Sequence, residues 1–224
     1  MKMGMVIDLE KCIGCRSCMV ACKQHNAQPP ETWWNRVFTP GSHRHLTPPA
    51  KGVEYFLPVH CQHCENAPCE KVCPVGATFH AEDGAVLIDF DRCIGCRYCM
   101  SACPYGVRQF NWEEAEKAHK RSGYQEKYHY GYPEEHRHDG RLVYMPLRPK
   151  GIVEKCTFCA QYRDKGELPA CVQGCPGKAR FVGDLDDPNS DVSTMIKARD
   201  AFTLLPEKGT KPTVFYLPPK PKEV

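Results

Sequence analysis

The sequence predicts an α+β fold with long loops, built from two small cysteine-rich units, the inner one inserted in the outer one. Three observations predict it: sixteen cysteines fall into four quartets, the gaps between quartets differ sharply in length, and a strand-plus-loop segment occurs twice. Cysteine at one residue in fourteen is far above ordinary usage and calls for a covalent or metal framework. Twenty prolines and seventeen glycines cut the chain into short pieces, so a single large apolar core is not expected.

Composition also excludes several roles. The formal charge is +3, and no block of like charges is long enough to serve as a nucleic-acid arm. No apolar stretch approaches the ~18 residues that a membrane span needs. Met1–Asp8 has neither a hydrophobic signal core nor a twin-arginine pair, so work outside the cytoplasm would require export with a signal-bearing partner.

The first quartet is Cys12, Cys15, Cys18 and Cys22, spaced C-x2-C-x2-C-x3-C. The second is Cys61, Cys64, Cys69 and Cys73, spaced C-x2-C-x4-C-x3-C and followed by Pro74. The third, Cys93, Cys96, Cys99 and Cys103, repeats the first spacing and runs into Pro104. The fourth is Cys156, Cys159, Cys171 and Cys175, spaced C-x2-C-x11-C-x3-C before Pro176. The run C-x2-C-x2-C-x3-C-P is the bacterial ferredoxin signature. Three cysteines on a tight loop wrap three corners of a [4Fe–4S] cubane, and the fourth points away to ligate the other cluster of a pair. Gly14 and Gly95 let the loop turn back close to the cluster, and proline after the last cysteine fixes the chain's exit. An even cysteine count also suits disulfides, and C-x2-C also occurs in zinc sites. Disulfides need no repeated metal-loop spacing, and zinc takes two cysteines per loop, leaving half of each quartet unused. Four [4Fe–4S] clusters use all sixteen.

Only nineteen residues, Pro74 to Arg92, separate the second quartet from the third. That length suits a short helix and a hairpin, with a strand at Ala85–Asp89 after the turn signal Glu82-Asp83-Gly84. These two quartets form one two-cluster unit, and by elimination the first and fourth form another. Met5–Asp8 and Val86–Asp89 both read as strands feeding a cluster loop, an internal repeat. The resulting ligand sets are Cys12, Cys15, Cys18 and Cys175 for the first cluster, and Cys22, Cys156, Cys159 and Cys171 for the second. Cys61, Cys64, Cys69 and Cys103 hold the third; Cys73, Cys93, Cys96 and Cys99 hold the fourth. The outer unit is residues 1–55 plus 145–190, the inner unit 56–110, the insertion 111–144, and a C-terminal helix and extended tail occupy 191–224.

Other residues carry weaker expectations. Ile13, Ile94, Val72, Val107 and Phe158 are expected to cover cubanes. An oxidised cubane with four thiolates carries about −2, so four add about −8 to the formal +3. Lys11, Arg16, Arg92, Arg97 and Lys155 are expected to offset that charge, or else to be solvated. His60 and His63 flank Cys61 as structural or hydrogen-bonding groups, and His43-x-His45 is a weak metal motif. Trp33 and Trp34 are expected at an interface. The insertion holds His119, His129, His136 and His138, starts helix-like at Trp112–His119 and then loses periodicity, as either a partner contact or a solvated loop. Asp191–Arg199 reads as a short helix, and Pro206–Val224 as an extended tail lying across a partner or disordered.

The chain resembles the four-cluster iron–sulfur subunits of molybdopterin oxidoreductases of the dimethyl-sulfoxide-reductase type. The resemblance rests on Met3–Asp8, Cys12–Cys22, Trp33–Arg36, Cys61–Cys69, Lys155–Cys159, Pro169–Pro176 and Phe181–Pro188. It is nearest the polysulfide, thiosulfate, tetrathionate and arsenate reductase branches. Cys22 departs from the ferredoxin signature in being followed by Lys23 rather than proline. The resemblance implies a non-catalytic subunit relaying electrons between a molybdenum or tungsten catalytic subunit and a quinone-linked membrane subunit or another redox partner. It also implies anaerobic respiration with a sulfur or arsenic oxyanion, on the extracytoplasmic side; the cytoplasm is the alternative. A free soluble polyferredoxin-type carrier is the alternative function, and it would need neither insertion nor tail. An independent enzyme would need a catalytic group outside the quartets, and no spare cysteine, P-loop or G-x-G-x-x-G is present.

Overall fold

Six buried residues, Met3–Asp8, form strand β1. The run is apolar without alternation, as a strand covered on both faces requires. It lies in the middle of a three-stranded sheet, antiparallel to one neighbour and parallel to the other. We describe residues 1–43, 45–47, 54–121 and 134–219 of a computed structural model of the chain.

After β1 come helix α1 (Ser17–His25), strands β2 (Arg36–Phe38) and β3 (Leu57–Val59), and helix α2 (Pro68–Lys71). Strands β4 (Thr78–His80) and β5 (Val86–Ile88) form the expected hairpin. The expected helix between Pro74 and Arg92 is instead α2, placed before Cys73, where Pro68 can occupy a first helical turn without losing a hydrogen bond. Helix α3 (Tyr98–Ala102), β6 (Gln109–Phe110) and α4 (Ala115–Arg121) follow. Strands β7 (His136–His138) and β8 (Arg141–Tyr144) are joined by Asp139-Gly140, both at positive φ (51° and 73°), the conformation that the tightest hairpin turn demands. Then come β9 (Val153–Glu154), paired with β6, and helices α5 (Ala160–Arg163) and α6 (Ala170–Gln173).

Strand β10 (Arg180–Asp184) returns to pair with β1, Ile7 opposite Arg180. Helix α7 (Asp191–Ala198) starts at Ser190, whose Oγ accepts the Ser193 amide at 3.2 Å. Val192 on α7 packs with Val6 and Leu217 on one face of the sheet. Strand β11 (Val214–Leu217) runs parallel to β1, Val6 opposite Phe215. The C-terminal segment makes one 3-10 turn at Pro206–Lys208 and then lies extended on its own chain at Val214–Leu217. Its apolar Val-Phe-Tyr-Leu run completes the sheet; residues 220–224 lie outside the described set.

The two halves of the sequence repeat show the same local geometry, 81 residues apart. Asp8 Oδ1 accepts the Glu10 amide at 3.0 Å, and Asp89 Oδ1 accepts the Asp91 amide at 3.1 Å. Gly14 and Gly95 have φ of 70° and 66°, and Arg16 and Arg97 have φ of 63° and 64°. These left-handed residues fold each loop back on itself. A Cβ on Gly95 would lie 1.8 Å from the Gly151 carbonyl oxygen, a backbone atom. Gly95→Ala should therefore destabilise the chain by at least about 2 kcal/mol, whereas Gly106→Ala, with open space around it, should cost about 1 kcal/mol from its positive φ alone. Thermal denaturation of the two variants side by side tests the contrast.

Candidate metal centres

Among the described residues are four cavities each lined by four cysteines. The first is bounded by Cys12, Cys15, Cys18 and Cys175. The second is bounded by Cys22, Cys156, Cys159 and Cys171, the third by Cys61, Cys64, Cys69 and Cys103, and the fourth by Cys73, Cys93, Cys96 and Cys99. The last cysteine of each quartet has crossed to another quartet's cavity. Cys22 has Cys156, Cys159 and Cys171 as its charge neighbours, across more than a hundred residues of sequence. All sixteen are free thiols.

The cavities suit a charged, sulfur-ligated group better than an apolar one. Burial pushes the Cys22 thiol well up, and raises Cys64 and Cys159 each to about 12. Thiolates in such places need positive charge beside them. Backbone amides supply part of it: Ala77 N–H points at Cys73 Sγ (3.2 Å) and Ala179 N–H at Cys175 Sγ (3.3 Å), each four residues beyond its cysteine. Gln28 Nε2 donates to Cys22 Sγ at 3.2 Å, and Asn26 Nδ2 lies 3.8 Å from both Cys22 and Cys159 Sγ.

Two buried arginines supply the rest, and sequence reasoning missed both. Arg180 Nη2 donates to Cys18 Sγ (3.5 Å) and Asn35 Oδ1 (3.1 Å). Its further charge neighbours include Cys171 of the second cavity and Cys175 of the first, so it stands between the two. Arg108 lines both the third and the fourth, with Cys69 and Cys99 beside it. Among the described residues neither arginine pairs with a carboxylate. Burial opposes their charge, yet the surrounding thiolates outweigh it and hold both guanidiniums protonated. A signal was present: Cys103-Pro-Tyr-Gly-Val-Arg108 and Cys175-Pro-Gly-Lys-Ala-Arg180 share the pattern C-P-x-x-x-R.

The basic residues singled out from sequence stay near the cavities, Lys11 and Arg16 lining the first, Arg97 the fourth and Lys155 acting on Cys156, and several make further contacts. Arg97 is exposed and lies over Phe110 and Trp112, 5.2 and 4.9 Å from the ring centres. Lys11 sits over Phe181, and Arg92 reaches Asp89 at 3.7 Å. Lys155 is buried, its ammonium donating to the carbonyls of Val86 and Cys156. Lys23, where proline was expected, donates to the Pro29, Pro30 and Thr32 carbonyls at 2.6–2.8 Å and so closes the following loop.

Of the expected covering residues, Ile13, Ile94, Val107 and Phe158 line cavities, and Val75 takes the place given to Val72. Trp34 is only 1 % exposed, under Arg148, and is core rather than interface. His60 Nδ1 donates to the Cys61 carbonyl (2.7 Å) with Nε2 3.2 Å from the Met5 sulfur, and His63 accepts the Val86 amide (3.1 Å) and stacks on Phe158 at 3.7 Å; both are structural. His43 is held by Thr47 and the Tyr55 carbonyl, while His45 packs edge-on against Phe38, so the pair does not converge. His129 and the side chain of His119 lie outside the described set.

The first and fourth cavities reach the surface through exposed Cys15 and Cys96, beside Ile13 and Ile94 at 66 % and 63 % exposure. The second and third are lined by buried cysteines, Cys103 alone being half-buried, and they adjoin each other through Cys156 and Cys61. Arg180 joins the first to the second and Arg108 the third to the fourth. The four cavities therefore form a row with both ends at the surface.

A 4Fe-4S dicluster domain family matches residues 53–133 and 144–185, and a second family of the same description matches residues 11–77. A Halobacterium salinarum protein provisionally named as a dimethyl sulfoxide reductase iron-sulfur subunit is 48 % identical, covering 96 % of this chain and 78 % of its own. A selenate reductase subunit of Mesobacillus selenatarsenatis is 42 % identical over 95 % of this chain and 70 % of its own. The arsenate respiratory reductase iron-sulfur subunit of a Shewanella species is 42 % identical over 97 % and 96 %. The cofactors are four [4Fe–4S] clusters.

Proposed function

The chain belongs to the four-cluster iron–sulfur subunits of dimethyl-sulfoxide-reductase-type molybdopterin oxidoreductases, and we propose that it is a two-ended electron relay within such a complex. The row of four cysteine-lined cavities, exposed at its ends and buried in its middle, carries this reading. The clusters supply one-electron storage without bond rearrangement of a substrate. The chain's own residues space them, keep the inner pair dry and set their charge.

The ligand sets we assign are the cavity linings: the first and second clusters exchange Cys175 and Cys22, and the third and fourth exchange Cys103 and Cys73. The nested arrangement follows the same pairing. Pairing of β1 with β10 and packing of α1 on α6 support an outer unit, and the β4–β5 hairpin with α2 against α3 supports an inner one. Cys22→Ser should alter the electron paramagnetic resonance signal that Cys159→Ser alters, and leave the one that Cys12→Ser alters. Shared perturbation by Cys22→Ser and Cys12→Ser would overturn the assignment.

The partners we propose are a molybdenum or tungsten catalytic subunit at one end and a quinone-linked membrane subunit at the other. The relatives' names support an oxyanion of arsenic, selenium or sulfur as the terminal substrate of the complex. We propose that the complex works on the extracytoplasmic side. Anaerobic purification from the source organism tests this: a molybdopterin subunit should co-purify in the periplasmic or membrane fraction. A lone soluble protein in the cytoplasm, with about sixteen iron and sixteen sulfide per chain, would favour a free polyferredoxin-type carrier instead.

A further inference from the structure

We propose that His136, His138 and Asp164 form a site for one divalent transition-metal ion, zinc being the simplest case, separate from the four clusters. His136 and His138 stand two apart on β7, and both rings reach the same carboxylate. Asp164 caps the end of α5, the short helix that begins directly after Cys159. His136 Nε2 and His138 Nδ1 both lie 2.7 Å from one oxygen, Asp164 Oδ2. The three donor atoms fall within 4.8 Å of one another, the scale of a site whose ligands each sit about 2.0–2.2 Å from zinc. Two imidazoles and a carboxylate match the donors of open zinc sites.

The second ring nitrogen of His138 makes the case stronger than a pair of hydrogen bonds would. His138 Nε2 is buried and has no hydrogen-bond partner among the described residues, and it faces Asp83 Oδ2 and Asp139 Oδ1, each 3.9 Å away. If neutral His138 spent its one proton on Asp164, a bare lone pair on Nε2 would confront two carboxylates. With a metal on Nδ1, the proton resides on Nε2 and faces those acids, the usual placement of a carboxylate behind a metal-bound histidine. Arg163, paired with Asp83, balances one of the outer charges. The ion would staple the β7–β8 hairpin to α5, and so tie the insertion to the polypeptide that carries Cys159.

The test is zinc loading of the anaerobically purified protein with its clusters in place, followed by desalting and analysis of zinc, iron and sulfide. One zinc per chain should remain, and His138→Ala and Asp164→Asn should each cut it at least tenfold with iron and sulfide unchanged. X-ray absorption at the zinc edge of the unmutated protein should show only nitrogen and oxygen neighbours near about 2.0 Å, a readout that does not depend on the variants folding. No zinc retained, equal retention in both variants, or a sulfur shell near about 2.3 Å would overturn the site.

Discussion

Stripping the iron from the purified chain should unfold it. The main core contains Cys18, Cys22, Cys61, Cys64, Cys69, Cys99, Cys156 and Cys171 among its buried members, so the cluster ligands are part of the apolar core itself. The helices run from four to nine residues and the strands from two to six, too short to hold together by local propensity. Without clusters, Arg108 and Arg180 become buried cations whose compensating thiolates take up protons. Leaving such a charge uncompensated costs about 3–5 kcal/mol each. Small domains have only about 5–15 kcal/mol in total, so these two penalties and four collapsing cavities exceed the margin. Metal-binding energy is here folding energy. Anaerobic chelation should therefore abolish the far-ultraviolet circular dichroism of the folded chain and the slow exchange of amides in β1, and reconstitution with iron and sulfide should restore both. A cooperative thermal transition in the iron-free chain close to that of the loaded one would refute the claim.

Most of that core was legible in the sequence, because cysteine spacing is a direct statement of metal geometry. The quartets and the matched strands ahead of Cys12 and Cys93 follow from counting. Packing partners do not. Val214–Leu217 reads as the end of a proline- and lysine-rich tail, and only the free edge of β1, formed by residues more than two hundred positions earlier, makes it a buried parallel strand. Trp34 reads as an interface aromatic because its cover, Arg148, arrives from beyond the insertion and pairs there with Glu154 in full burial. The hairpin at Asp139-Gly140 carried a turn signal, but it was lost among polar residues that gave no strand periodicity.

The arginines are the instructive miss, since the basic residues legible beside the cluster loops, Lys11, Arg16, Arg92, Arg97 and Lys155, are all immediate sequence neighbours of a cysteine. Exposed Arg97, next to Cys96, spends its charge on solvent and two rings, whereas Arg180 lies five residues past Cys175, 4 % exposed, against sulfur. A unit charge about 5 Å from a cluster, at an effective dielectric of about 20, is worth roughly 3 kcal/mol. That corresponds to a shift on the order of 100 mV in a one-electron potential. Arg180→Met should lower the midpoints of the first and second clusters by about that amount and leave the others in place; Arg108→Met should do the reverse. Arg180→Lys keeps the charge while losing the planar fork, so it should retain most of the potential even where stability falls. Arg97→Gln, screened by water, should move no midpoint by more than about 20 mV. Potentiometric titrations followed by electron paramagnetic resonance separate the four clusters. If Arg180→Met and Arg97→Gln shifted the same clusters by the same amount, burial would not be what gives these arginines their influence. If Arg180→Lys matched Arg180→Met, the effect would be one of packing rather than charge.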